Sequence, residues 1–242
     1  MTGSSLKDLD LLRIEIGTIW ALDGRGRLPG PEELVIGAAA GGLTGAVGRD
    51  VPDELAARLL ALVARAAPSS PGRPPAVLEE CRDLLDDDEL VVAGGPSYLV
   101  SPPVALTSAV AVLRSGEPAH AERVRSLRPL TWEPGEWAEL VGGGEGAPWS
   151  MIVEDGQVVA VCHTARRTAI AAEAGTWTSP AFRGRGYAAA VTAAWAGLLP
   201  EACPHLFYST SADNRSSQRV AERLGLRGLG WLWKLTRPKT TT

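Results

Sequence analysis

Arg183 and Arg185 flank two glycines in the run Thr176-Trp177-Thr178-Ser179-Pro180-Ala181-Phe182-Arg183-Gly184-Arg185-Gly186-Tyr187-Ala188. The order of residue types reads as a strand, a proline turn, a glycine loop and an alanine-rich helix. Glycine lets a backbone approach a ligand closely because no Cβ intervenes. A helix start adds unpaired N–H groups and the positive end of the helix dipole. With two guanidinium groups beside it, this arrangement suits a phosphate or pyrophosphate. Two other readings stay open at this point. One is a plain turn with two exposed arginines. The other is a dinucleotide fold, since Gly184, Gly186 and Ala189 satisfy G-x-G-x-x-A, although no acid stands about 20 residues on to hold a ribose.

Glu173 is the second residue to consider. Strand alternation puts it on one face with Gly175 and Trp177, among small and apolar neighbours. A carboxylate there is expected to be partly desolvated, with a raised pKa that suits a general base. Its competing role is an ion pair with Arg166 or Arg167 on a neighbouring strand. His163 lies late in its strand, and a lone strand histidine is more often structural. Cys81, Cys162 and Cys203 are widely spaced and read as buried thiols rather than metal ligands or a disulfide pair. The acidic run Asp86–Glu89 reads as the solvated end of a helix, and no metal site is expected.

The elements that must position these residues follow from periodicity. In the first half, helices are predicted over 6–20, 53–66 and 77–85, with a strand pair over 35–47 and a loop over 68–75. The apolar stripe of the second helix is Leu55, Leu59, Leu60 and Val63. In the second half, helices near 120–127 and 134–141 precede a hairpin. Its strands are 149–153 and 158–164, around the turn Glu154-Asp155-Gly156. A strand over 170–178, the glycine loop, a helix to about 198, a strand at 206–210, a helix at 215–224 and a strand at 230–235 complete the order. The core stripe of the helix after the loop is Tyr187, Val191, Trp195 and Leu198.

The segment Thr178 to Ala188 resembles the pyrophosphate-binding motif of the GNAT superfamily of acyl-CoA N-acyltransferases, R/Q-x-x-G-x-G/A, with Arg183, Gly186 and Ala188 at its fixed positions. A second segment, Asn214-Arg-Ser-Ser217 continuing to Leu224-Gly225-Leu226, is similar to the N-x-x-S/A … L-G-F piece that follows the next strand in that superfamily. Ala172-Glu-Ala-Gly175 before the loop and Tyr208-Ser-Thr-Ser211 before the asparagine also resemble a group of actinobacterial members. The resemblance covers roughly residues 120–235.

The resemblance implies a mixed α/β (α+β) fold. Its sheet would be mostly antiparallel, flanked by helices, with two splayed central parallel strands. A pantetheine arm would lie between those strands, bonded by the backbone of Thr176, Trp177 and Thr178. Arg183, Gly184, Arg185, Gly186, Tyr187 and Ala188 would cradle the pyrophosphate, with Asn214 and Ser217 touching the arm. Asn214 also reads as a helix N-cap. The activity implied is direct transfer of acetyl from acetyl-CoA to a primary amine in a ternary complex. Glu173 would act as base, and main-chain N–H groups of the central strand would stabilise the developing oxyanion. The family's usual tyrosine acid corresponds to Ala221 here, so the thiolate's proton would come from Tyr208 or from solvent. An N-terminal α/β domain, 1–115, would precede the acyltransferase domain, 116–242. Trp149, Trp231 and Trp233 are candidates for the acceptor pocket, with core packing as their default.

Composition narrows the partners. The net charge is −4, which argues against a general nucleic-acid binder. Residues 1–100 carry nine basic and 16 acidic side chains, whereas residues 101–242 carry 15 and 12, so the second half is the one that invites an anion. No segment reads as an export signal or a membrane span, and the expected compartment is the cytoplasm. The expected partner is a small amine or a peptide amine, with the homodimer left open. The alternatives are a non-catalytic acyl-CoA-binding module, or an acyltransferase that uses a different donor.

Overall fold

The computed structural model describes residues 6–87, 89–104, 106, 110–199 and 203–238. The chain forms two compact units. The first is Met1–Tyr98 with Ser209–Arg215 and Gly228–Thr242, and the second is Leu99–Tyr208 with Ser216–Arg227. These units are not continuous in sequence. The first break falls at 98/99, and two later segments return to the first unit. Among the described residues, no helix is long and apolar enough to cross a membrane.

The first unit opens with α1 (Asp8–Trp20), followed by the strands β1 (Glu32–Ala39) and β2 (Gly42–Val47), then α2 (Asp53–Arg65), α3 (Val77–Leu85) and β3 (Val91–Val100). The Gly41-Gly42 break makes 35–47 a hairpin rather than a helix, with Leu34 opposite Val47 and Ala39 opposite Gly42. The last strand, β9 (Arg227–Thr236), pairs antiparallel with β1, and the strand order here is β2-β1-β9-β3. β3 is an element that periodicity did not predict. Its run Ala93-Gly-Gly-Pro96 reads as a turn, yet Gly94 lies in the strand because Trp233 occupies the place of its missing Cβ.

Helix α2 buries Ala56, Leu59 and Val63, a true 3.6-residue stripe. Leu60, expected on that stripe, is exposed, because it sits about 100° round the helix from Leu59. In α1 the buried face includes Glu15, whose carboxylate accepts a hydrogen bond from Ser97 Oγ on β3. Of the acidic run Asp86–Glu89, Asp88 lies outside the described residues.

The second unit contains β4 (Leu113–Arg114), α4 (Pro118–Arg125), α5 (Pro134–Gly142), β5 (Trp149–Glu154), β6 (Gln157–Arg167), β7 (Ala171–Thr178), a 3-10 turn (Pro180–Phe182), α6 (Tyr187–Ala196), β8 (His205–Ser209) and α7 (Arg215–Arg223). Strand order is β8-β7-β6-β5-β4. The β4/β5, β5/β6 and β6/β7 pairs are antiparallel, and β7/β8 is parallel. This mixed, mostly antiparallel sheet flanked by helices is the fold class that the sequence implied.

Alternation divides the sheet's faces. Trp149, Met151, Val161 and Trp177 pack with Val124 of α4 and Trp137, Leu140 and Val141 of α5. The other face carries Ser150, Cys162, Thr164 and Thr176 against α6. Ser150 Oγ donates to the Val191 carbonyl at 2.6 Å, and Trp195 Nε1 donates to Thr164 Oγ1 at 3.1 Å. These bonds satisfy polar groups that would otherwise be costly to bury, and they fix α6 against two strands.

Candidate active site

The parallel ladder between β7 and β8 has three rungs: Ala171 opposite His205, Ala172 opposite Leu206, and Glu173 opposite Phe207. Strand β7 then runs on for five residues to Thr178, still paired with β6 as far as Thr178 opposite Ala160. The side chains change with the pairing. Ala171 to Ala174 are buried, and Gly175 to Thr178 are half-buried. Two parallel strands that part at Glu173 leave a wedge whose β7 wall offers main-chain groups to a ligand. Within that wall, Thr178 Oγ1 is buried and has no hydrogen-bond partner among the described residues.

Glu173 stands at the apex, 6% exposed. Alternation along β7 places it on the face of Gly175 and Trp177, as the sequence implied. Trp177 packs on the α4/α5 core, which leaves its main chain, not its indole, available to the wedge. Thr176 turns to the opposite face. Its Oγ1 lies 3.3 Å from Thr192 Oγ1 and 3.7 Å from Cys162 Sγ, and Thr192 Oγ1 in turn donates to the Ala188 carbonyl at 2.8 Å. These bonds tie the wall of the wedge to the first turn of α6. Burial pushes the Cys162 thiol up to about 12, which makes it a packed group and not a nucleophile.

The loop after β7 makes the mouth. Gly184 and Gly186 have φ of 80° and 84°, a region glycine enters without strain. A Cβ on Gly184 would meet nothing within 4 Å, so the loop lies open there. A Cβ on Gly186 would stand 2.6 Å from Arg223 Nη1, so the Arg223 guanidinium lies directly against the loop. Arg183 is exposed, and its Nε donates to the Thr178 carbonyl at 3.4 Å. Arg185 is committed elsewhere. It pairs with Glu154 at 3.3 Å and lies 4.7 Å from the Phe182 ring centroid. Tyr187 donates its hydroxyl to the other Glu154 oxygen, and that bond raises the phenol's pKa. Of the two loop arginines, Arg183 is therefore the one without a carboxylate partner among the described residues. Ala188 is half-buried in the first turn of α6 and leaves the helix start slim.

Three further expected residues lie on β8 and in or just before α7. Asn214 precedes α7, with its N–H bonded to the Ser211 carbonyl, in the Ser209–Arg215 segment of the first unit. Tyr208 is 3% exposed and one residue past the last rung. Phe207 shares a face with Glu173, so alternation turns Tyr208 to the other face. Ser217 is half-buried on α7.

His163 lies opposite Gly175, on the face of Glu173. A Cβ on Gly175 would stand 2.4 Å from its Nε2. Trp132 meets the imidazole edge-on at 5.2 Å, and Nδ1 is buried without a partner among the described residues. Burial, reinforced by Arg166, lowers its pKa to about 4, so the ring is neutral at physiological pH.

Sequence reasoning missed Glu154, and it reads Arg215, Arg219 and Arg223 as a solvated stripe, with a 3′-phosphate contact as the alternative. The four-residue spacing of Arg215, Arg219 and Arg223 placed them on one helical stripe, but only the tertiary packing turns Arg223 onto Gly186. Glu154 lies 31 residues before Arg185, in a hairpin turn with no local signal of its role. Among the described residues, no group of three or more His, Cys, Asp or Glu could hold a metal ion.

A search of curated proteins found no significant match. Residues 111–227 match the family model described as acetyltransferase (GNAT) domain. Among solved structures, the chain is similar to a GCN5-related N-acetyltransferase from Kribbella flavida, at 16% identity and TM-score 0.50, covering 98% of this chain and 97% of that one. It is also similar to a GCN5-related N-acetyltransferase from Sphaerobacter thermophilus, at 16% identity and TM-score 0.48, covering 81% and 73%. A GNAT-family acetyltransferase from Colwellia psychrerythraea matches at 16% identity and TM-score 0.46, covering 97% and 98%. Residues 111–227 are thus similar to the acetyltransferase (GNAT) domain family, and the likeness to solved structures is one of fold.

Proposed function

We propose that this protein is an acetyl-CoA-dependent N-acetyltransferase that moves an acetyl group directly to a primary amine. The observation that carries the reading is the parting of β7 from β8 at Glu173, with the Arg183–Ala188 loop at the open end. Acetyl-CoA, when bound, supplies an activated acetyl thioester. The β7 main chain from Thr176 to Thr178 binds the pantetheine amides, and Thr178 Oγ1 offers a hydroxyl that has no partner among the described residues. N–H groups at the start of α6, with Arg183 and Arg223, hold the pyrophosphate.

The Glu173 carboxylate accepts the proton that an alkylammonium must lose before its nitrogen can attack a thioester. Its place at the apex puts that step where the side chains change from buried to half-buried. Since Tyr208 faces away from Glu173, solvent in the open half of the wedge is the better source of the thiolate's proton. The acceptor is a small amine or a peptide amine, and the compartment is the cytoplasm, where Cys81, Cys162 and Cys203 stay as free thiols. The likeness to actinobacterial members rests on Ala172–Gly175 and Tyr208–Ser211 alone.

The experiment is calorimetric titration with acetyl-CoA of the wild type and of an Arg183→Ala/Gly186→Trp variant, followed by a thiol-release assay over a panel of amines. Binding lost in the variant, with amine-dependent thiol release in the wild type, supports the reading. No binding at millimolar acetyl-CoA overturns it. Binding without turnover of any amine favours a non-catalytic acyl-CoA module, a reading that Ala221 at the usual position of the acid also invites. Tight binding of longer acyl-CoA in preference to acetyl-CoA would change the donor.

A further inference from the structure

The first unit holds a cavity of about 320 Å³ at the ends of β1 and β9, beneath the loop that joins α2 to α3. Its walls include Ala38, Pro68, Pro71, Gly230, Trp231 and Trp233. Among the described residues, no ionisable side chain lines it. Its aromatic wall is ordered: the Trp231 and Trp233 rings stack with centroids 5.3 Å apart and planes 17° from parallel.

The residues around the two indoles are small. A Cβ on Gly94 would stand 2.4 Å from Trp233 Cε3, so Trp233 rests on a strand with no side chain at that point. Gly72, at φ 81°, comes within 3.5 Å of Trp231 by the same measure. Ala38 lies opposite Trp231 in the β1/β9 register and therefore shares its face. On the cavity side the rings meet alanine, glycine, proline and the small polar Ser69 and Ser70, while Trp233 also packs in the apolar core of the unit.

The polar inventory is just as specific. Trp233 is 6% exposed, and its Nε1–H is buried with no acceptor among the described residues. A buried indole N–H normally finds a partner, and one without a protein acceptor calls for an acceptor brought from outside the chain. A cavity of roughly 150 Å³ lined by aliphatic and aromatic side chains is enough to take benzene. A volume about twice as large has room for two fused rings.

We propose that this cavity binds an uncharged, planar aromatic molecule of one or two fused rings that carries a hydrogen-bond acceptor. The stacked indoles supply a flat apolar wall, the small residues supply width, and the unpaired N–H selects an acceptor over a plain hydrocarbon. The absence of lining charges excludes ionised ligands, because nothing there would offset their desolvation. The inference does not rest on acetyl transfer and would stand for this chain without that activity.

The test is titration of the full chain, ¹⁵N-labelled, with quinoline near neutral pH, following the indole Nε1–H signals by NMR. Cyclohexanone, which carries an acceptor but is not planar, is the control. Two variants separate binding from folding: Ala38→Leu, which fills the space beside Trp231, and Trp231→Ala, which removes half of the wall. Thermal melting checks that each is folded. The expected result is a saturable shift of the Trp231 and Trp233 signals with quinoline, at least about tenfold weaker in either folded variant. The proposal is overturned if quinoline gives no saturable shift, if cyclohexanone shifts the same signals with equal affinity, or if both folded variants bind as the wild type does.

Discussion

Glu173 stands on the last rung before two parallel strands part, and that position sets what its replacement should do. Glu173→Gln keeps the size and removes the base. It is expected to lower kcat for amine acetylation about 10²- to 10⁴-fold while acetyl-CoA affinity stays unchanged, as read by thiol release and calorimetry. Tyr208→Phe, at a residue that faces away from Glu173, is expected to change kcat less than about threefold in the same assay. The arginines divide in the same way. Arg223→Gln is expected to weaken acetyl-CoA binding about tenfold, the cost of one charge-assisted contact, and to flatten its salt dependence. Arg185→Gln should cost less, since Glu154 already holds that guanidinium.

His163 makes a prediction about pH. Its pKa is about 4 in the fold against 6.5 in a free chain. The neutral ring is therefore tolerated and the charged ring is not. Above the unfolded value, both states carry it neutral and its contribution is complete. As pH falls from 6.5 towards 4, the unfolded chain takes up a proton that the fold refuses, and stability is lost, by no more than about 3 kcal/mol. His163→Gln removes this term. The drop in urea-unfolding free energy between pH 7 and pH 4.5 should be smaller in the variant, and an unchanged drop would assign the acid sensitivity elsewhere.

At the scale of elements, the strand pair β6/β7 depends on one absence. Gly175 leaves room for the imidazole of His163 and stands close to Ala165, where an added Cβ would come within 2.9 Å. Gly175→Ala is expected to destabilise the protein by about 1–3 kcal/mol, because two paired strands must move to accept it. Denaturant unfolding measures the loss, and the thermal midpoint of the acetyl-CoA complex shows whether the wedge moves with the strand. Helix α6 shows the opposite device. It buries nearly all of its alanine-rich length, and it is held to the strands beneath by side-chain hydrogen bonds, between the Thr192 and Thr176 hydroxyls and from the Trp195 indole N–H to Thr164 Oγ1. Periodicity revealed the helix readily and said nothing of those bonds, whose partners lie 16 and 31 residues away.

For the whole molecule, sequence order and compactness disagree. β9 pairs with β1 across about 200 residues, and its Trp233 and Leu235 pack in one core with Leu34 and Ile36. A fragment of residues 116–242 contains every motif of the acyltransferase reading and still lacks the partner of its last strand. Such a strand exposes unpaired N–H and C=O groups beside apolar side chains, the usual template for aggregation. The fragment is expected to aggregate on size-exclusion chromatography, and co-expression with residues 1–115 should restore a soluble complex. A monodisperse, folded 116–242 fragment would contradict this.

What the sequence alone determined was local. The glycine loop, the hairpin at Asp155-Gly156, the helices and the strand carrying Glu173 each follow from residues within a few positions of one another, where steric limits and periodicity act. What only the tertiary structure decided was long-range. It placed the parting of β7 from β8 at Glu173, turned Arg223 onto Gly186 and gave Arg185 to Glu154. It also set Gly94 in a strand under Trp233. Each of these depends on which distant surface occupies the space beside a residue, and that is fixed by packing, which leaves no period in the chain.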